Sequence, residues 1–485
     1  MTLVALVLVP LAGILVGFSS RRKLPRLLLL ILAAAIHLLI TLSLWTVPAG
    51  ERSQLDALWG HLALDPLGLV FLTTVSALFL VNAVYSLQYR RVTPPEQPSM
   101  VFLPCNLLLL SALTTITLAR HLGLLWVAAG LSTLGVAPLI YLQRGRHALE
   151  ATWKYIVICS VGVAFALLGV FFLGIAANDP TGAAPELFID HLVKTASEGK
   201  LRPEWLRAAF VLMLVGYGTK AGLAPMHTWK PDAYGEAPTP VATLMATAVT
   251  ACMLLCLLRA YQVCVAAGQR DFAAGLMVLI GLVSVATGAA FVVAQGDFSR
   301  LLAYSGVEHM GVMALGVGVG GIAIYGALLH MIGHSLIKGT LFFTSGNLSL
   351  AYGTRAIGQI TGVQRRLPFT GVLLWTGTFA TLGFPPFPMF ASELTILRGA
   401  LLEGSYLVAS LYLIFLGIVF VAVMSLVQDM AQGKDPRPDQ PPMRESPLMT
   451  LPPLALLVFA LCLGLHIPAP LDQALKDSSK LLGGP

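Results

Sequence analysis

Charge is what this chain has least of. Of 485 residues only 11% are Asp, Glu, Lys or Arg, against 57% hydrophobic. A soluble protein carries about a quarter charged residues, so the balance excludes that class. Cysteine is scarce too: Cys105, Cys159, Cys252, Cys256, Cys264 and Cys462 are all there is, with no C-x-x-C pair. Cys252 and Cys256 share a helix face, yet two thiols cannot complete an iron–sulfur or zinc set, so the cysteines read as buried small hydrophobes. Walker and Rossmann glycine loops are missing, which excludes nucleotide chemistry and leaves no cofactor expected. No basic stretch precedes the first apolar run; Arg21, Arg22 and Lys23 follow it, and that makes it a retained helix rather than a cleaved signal. The net charge of +7 sits in loops and carries no nucleic-acid meaning.

What the chain has is apolar length. Runs of about 18–23 residues match a hydrocarbon core of roughly 30 Å. Fourteen are expected to span, near 2–19, 27–48, 66–86, 99–119, 122–141, 154–176, 206–226, 240–262, 271–294, 300–319, 322–346, 368–400, 405–427 and 449–467. Helices are the spanning solution, because backbone groups in lipid need partners within their own segment. The fold class is therefore an all-α polytopic membrane protein. The loops 177–205 and 428–448 are the longest, and neither holds a soluble domain. Loops after odd-numbered spans carry most of the Lys and Arg, which predicts that both termini lie on the outer side.

Two spans are interrupted. The seventh runs into Gly222 and Pro225, and the twelfth contains Pro385, Pro386 and Pro388. They lie five spans apart, an odd number, so two five-helix units built around them are inverted in the membrane. Interrupted helices in inverted halves are the pattern of ion-translocating folds, with the site near the break. Each break has an ionisable residue beside it, Lys220 or Glu393.

A cation costs about 2.5–3.5 kcal/mol at the centre of a spanning helix, so intramembrane lysines are candidates for function. Lys220 either handles an ion or snorkels to an interface. His330, His334 and Lys338 recur at i, i+4 and i+8 and share one face over roughly 12 Å of rise. That is a row of proton-exchanging groups. Polar helix packing competes with this reading, and a metal site does so only weakly, because no third ligand is evident. Glu393 needs water or a cation partner in lipid, unless it is interfacial. Glu308 and His309, with Arg300 nearby in sequence, read either as functional or as an interfacial cluster. Asp232 and Glu236 read as capping carboxylates of the loop after the first break.

These segments, GYGTKAGLAPMHTWKPDAYGEAPTPV, DFSRLLAYSGVEHMG, HSLIKGTLFFTSGNL and LGFPPFPMFASELTIL, resemble the antiporter-like subunits of respiratory complex I, Mrp antiporters and membrane-bound hydrogenases. HALEATWKYIVICSVG, SGVEHMG and RRLPFTG look most like component F of the hydrogenase-4 and formate hydrogenlyase group. The resemblance implies two inverted five-helix bundles and lateral proton passage along a polar axis. It matches Lys220 to the lysine of the first broken helix. It matches Lys338, with His334 and His330, to the link between half-channels, and Glu393 to the acid of the second broken helix. One departure stands out: the glutamate that relatives carry on the fifth span falls on Gly130, and no acid lies between Arg120 and Glu150. Tyr234 and Gly235 also depart from the family's His and Ser. The long lateral C-terminal helix of some members is not expected.

The expected organisation is an N-terminal three-helix segment (1–98), five-helix repeats at 99–262 and 263–427, and a cytoplasmic loop with a final helix (428–485). The expected function is proton conduction in a multisubunit energy-converting complex of the inner membrane, with other membrane subunits and a peripheral cytoplasmic module as partners. No metal is expected, and the ion is a proton or sodium. The alternatives are a membrane subunit of an inorganic-carbon uptake complex and a degenerate structural subunit.

Overall fold

Backbone groups removed from water must pair within their own segment, and this chain does so almost entirely as helix. The computed structural model describes residues 1–19, 22–52, 55–93, 99–177, 186–434 and 443–485. Arg21 and parts of the loops 177–205 and 428–448 lie outside the described residues. The strands among the described residues are a two-residue antiparallel pair, Asp56–Ala57 with Leu62–Ala63. Nine helices among the described residues are long and apolar enough to cross a membrane, and Thr2–Phe18 is a shorter apolar one.

Burial separates centre from rim. The apolar window of the helix Thr239–Ala266 is 100% buried, whereas that of Tyr406–Gln432 is 28% buried. Ile322–Tyr352 packs against both Thr239–Ala266 and Phe298–Val319 at the centre. The rim helix Arg146–Ala176 exposes Trp153, Val157, Val161, Phe165 and Leu168 along one stripe, as a face against hydrocarbon does. Lipid-exposed helices gain little from hydrophobic association with each other, so small residues set the close approaches. A Cβ added at Gly281 of the helix Arg270–Val292 would lie 2.7 Å from the Leu315 nitrogen, and one at Gly216 would lie 2.5 Å from the Ala166 nitrogen.

One buried ion cluster ties the central helix Thr239–Ala266 to the start of Pro66–Val92. Asp65, at the N-cap of Pro66–Val92, takes a two-pronged contact from Arg259 (2.6 and 2.8 Å) and a third from Arg120 at 3.1 Å. Burial pushes the Asp65 carboxyl up, but the Arg259 charge and hydrogen bonds, with Arg120, outweigh it and hold the group well below the usual carboxylate range.

Two expectations need correction. Cys462 is exposed and Cys105 partly so, because both sit toward the outer faces of their helices; the other four cysteines are buried. Asp232 and Glu236 belong to a short helix, Trp229–Glu236, not a loop. Beyond Pro447–Leu465 lies a further amphipathic helix, Ala469–Leu481, whose Asp472 accepts a hydrogen bond from Tyr325 at 2.7 Å.

Candidate functional site

Gly222 builds the first break. The helix Pro203–Ala221 ends there because Gly222 adopts φ +83°, a left-handed conformation open to glycine. The Gly222 and Leu223 N–H groups both turn back to the Gly218 carbonyl at 2.9 Å, and helix resumes at Trp229. Lys220, on the last turn, is 1% exposed, which rules out snorkelling. Its ammonium donates to Ser132 Oγ at 2.5 Å, Thr133 Oγ1 at 2.7 Å and the Ala129 carbonyl. All three acceptors belong to the helix Leu122–Ile140. Lys220 forms no ion pair among the described residues. Gly130 lies among these acceptors in sequence, and a Cβ added there would meet only Val163 Cγ1 at 3.8 Å.

The second cluster is woven from four segments. Lys338, His334 and His330 all lie on Ile322–Tyr352 and are buried. Lys338 Nζ donates to Ser305 Oγ at 2.7 Å, on the neighbouring helix Phe298–Val319. The same helix supplies His309, whose Nδ1 is 3.2 Å from His330 Nε2. The His309 and His334 rings meet edge to face at 5.3 Å. The remaining imidazole nitrogens of the His309–His330 pair reach the second broken helix: His309 Nε2 is 3.0 Å from Thr381 Oγ1, and His330 Nδ1 is 2.9 Å from Ser392 Oγ. Thr381 ends the first half, Pro368–Thr381, and Ser392 and Glu393 belong to the second, Pro388–Leu402. Glu393 folds back toward the break, where a Cβ on left-handed Gly383 would collide with its carboxylate.

The interfacial reading of Glu308 and His309 does not hold, since they are 1% and 2% exposed. Arg300 points elsewhere, to Asp232 at 3.2 Å, which also takes Lys154 at 2.8 Å. Glu308 Oε2 lies 3.4 Å from His309 Nδ1, and neither Glu308 oxygen nor His334 Nε2 has a hydrogen-bond partner among the described residues. Buried polar atoms without a partner are uncommon in folded proteins.

The trio with metal-ligand spacing among the described residues is not the His330–His334 pair of the sequence but includes only His330 of it. His309, His330 and Glu393 each offer a ligand atom within 4.8 Å of the others. The contact between the two imidazole nitrogens is equally that of a shared proton.

Lys230 escaped the sequence reading. It is fully buried, and its ammonium donates to the carbonyls of Ala221 (3.1 Å) and Gly306 (3.2 Å). The available signal was a lysine beside proline in the interrupted stretch.

Comparison with known proteins places the chain in a family. Residues 119–423 match the family described as NADH:quinone oxidoreductase/Mrp antiporter, TM. The chain belongs to this family. A hydrogenase-4 component F homolog from Methylacidiphilum infernorum (isolate V4) is 30% identical over 426 residues, 86% of this chain and 88% of that protein. In structure, a chain of the Mrp complex from Dietzia sp. DQ12-45-1b superposes with a TM-score of 0.86 at 20% identity, covering 99% of this chain and 97% of its own. A chain of respiratory complex I from Thermus thermophilus superposes at 0.81 with 24% identity, each covered in full. These two likenesses establish the fold. The chain is thus an antiporter-like membrane subunit of the complex I, Mrp and hydrogenase type.

Proposed function

We propose that this antiporter-like subunit conducts protons between Lys220, Lys338 and Glu393, with His334, His330, His309 and Glu308 as exchanging groups. The observation that carries the reading is that the two helices joined by the Lys338–Ser305 hydrogen bond also carry the His309–His330 pair, whose own hydrogen bonds reach both halves of the second broken helix. Each member is a proton donor or acceptor, and the arrangement ends beside Glu393. Unpartnered Glu308 oxygens beside His309 support transient protonation there. A change of charge at one buried site acts strongly on the next, because little water screens the interior.

In this reading fourteen spans form an N-terminal segment (1–98), two inverted five-helix repeats (99–262 and 263–427) and a C-terminal portion (428–485). Both termini lie on the outer side of the inner membrane. Other membrane subunits and a peripheral cytoplasmic module supply the driving chemistry, of the hydrogenase-4 or quinone-reductase kind that relatives' names describe. Lys338→Ala tests the proposal: proton-coupled activity of the assembled complex is expected to vanish, and unchanged coupling would refute it.

One observation favours a second reading, a channel retained for assembly. Lys220 is held by hydroxyls and a carbonyl rather than by an acid.

A further inference from the structure

Lys230 has no part in the arrangement described above, yet its ammonium bonds main-chain carbonyls beside both lysine sites. One of its carbonyl partners, Ala221, directly follows Lys220 in the chain. The other, Gly306, directly follows Ser305, whose hydroxyl holds Lys338. A single side chain therefore touches the neighbour of each lysine site. The surroundings are shaped to it. A Cβ on left-handed Gly222 would lie 2.6 Å from Lys230 Cδ and 3.0 Å from Nζ, and one on Gly306 would lie 3.5 Å from Nζ. The Tyr234 ring lies 5.7 Å from Nζ. Lys230 forms no ion pair among the described residues. It is close enough to Lys338, His309, His334 and His227 to interact with each electrostatically.

A simpler role exists. A lysine on the last carbonyls of a helix satisfies them and suits the negative end of the helix dipole. A cap of that kind needs only a fixed positive charge. It does not account for the second bond, to Gly306 beside the Lys338 anchor.

We propose that Lys230 is a proton carrier joining the Lys220 pocket to the Lys338 cluster. The inference rests on the proton-conducting reading above. The Lys220 ammonium gives one proton, through hydrogen-bonded water, to the Lys230 amine; an N–H bond breaks on Lys220 and one forms on Lys230. The Lys230 ammonium then passes one proton to the Lys338 amine and returns to the neutral form. Each hand-over moves one proton and no electrons. While charged, Lys230 repels charge at Lys338, so its state biases when that site loads.

Arginine separates carrier from cap, because it keeps the charge and the donors but does not deprotonate in proteins. The assembled complex is reconstituted in vesicles with an entrapped pH dye, and proton uptake is driven by a potassium diffusion potential. For Lys230→Arg the carrier predicts uptake below about a tenth of wild type, and for Lys230→His at least about a third. Wild-type uptake with Lys230→Arg would overturn the inference in favour of a cap. Should the arginine variant fail to assemble, Lys230→His and Lys230→Gln are compared: histidine well above glutamine supports a carrier, and equal rates refute it. Lys338→Ala is run beside them. Loss of uptake there with retention in Lys230→Arg sinks only the Lys230 assignment, whereas retention in Lys338→Ala sinks the proton-conducting reading itself.

Discussion

Lys220 Nζ lies 2.5 Å from Ser132 Oγ, so the lysine of the first broken helix is anchored by a neutral hydroxyl from the helix on which the family resemblance leads one to expect an acid. The pocket around it is polar but uncharged. A hydroxyl fixes the position of the ammonium without tying it to either protonation state as strongly as a carboxylate would.

Gly130→Glu supplies the acid that the resemblance leads one to expect. The space beside Gly130 is open, with Val163 Cγ1 the nearest atom at 3.8 Å, so the substitution is expected to fold. If the pocket is an active site with a weakened partner, proton flux per turnover of the assembled complex rises by about twofold or more, since a nearby opposite charge shifts a protonation equilibrium by one to three units. No gain at normal assembly would favour the structural reading.

Ser305→Ala removes the anchor of Lys338. A hydrogen bond to a charged group is worth about 1.5–3 kcal/mol. Slower translocation by roughly tenfold is expected, less severe than deletion of the lysine. Single-turnover proton release measured in both variants checks the order.

His309 and His330 share one hydrogen bond, so their effects are not independent. His309→Ala and His330→Ala are each expected to slow translocation strongly. The double variant should cost little more than the worse single one, as residues acting in one network do. Rates that multiply in the double variant would show two separate routes.

Asp65 concerns stability alone. Asp65→Ala strands buried Arg259 and is expected to cost about 3–5 kcal/mol, read as lower thermal stability of the detergent-solubilised protein. Its pH dependence follows from the sign of the shift. The folded carboxyl sits well below its ordinary value, so the stabilisation is complete above about pH 4 and is lost as the pH falls further.

Much of this was legible along the chain. Gly222 and the prolines at 385, 386 and 388 marked both breaks, since left-handed and proline-locked backbone cannot continue a helix. The i, i+4, i+8 spacing placed His330, His334 and Lys338 on one face. The depth of Glu308 and His309 was not legible, because Arg300 drew them to the surface in one dimension. Eight residues of helix are roughly 12 Å of rise, enough to separate the exposed Arg300 from the buried Glu308. Lys230 was hidden for a different reason. Its partners are main-chain carbonyls from Ala221 and Gly306, which no side-chain pattern reveals. The link of His309 and His330 to Thr381 and Ser392 likewise depends on helices far apart in sequence.

The most direct test of the account is proton uptake by vesicles containing the assembled complex, with wild type and Lys338→Ala compared under the same imposed potential. The account predicts potential-driven uptake in the wild type and none above the lipid background in the variant, with assembly intact. Equal uptake in the two would contradict it.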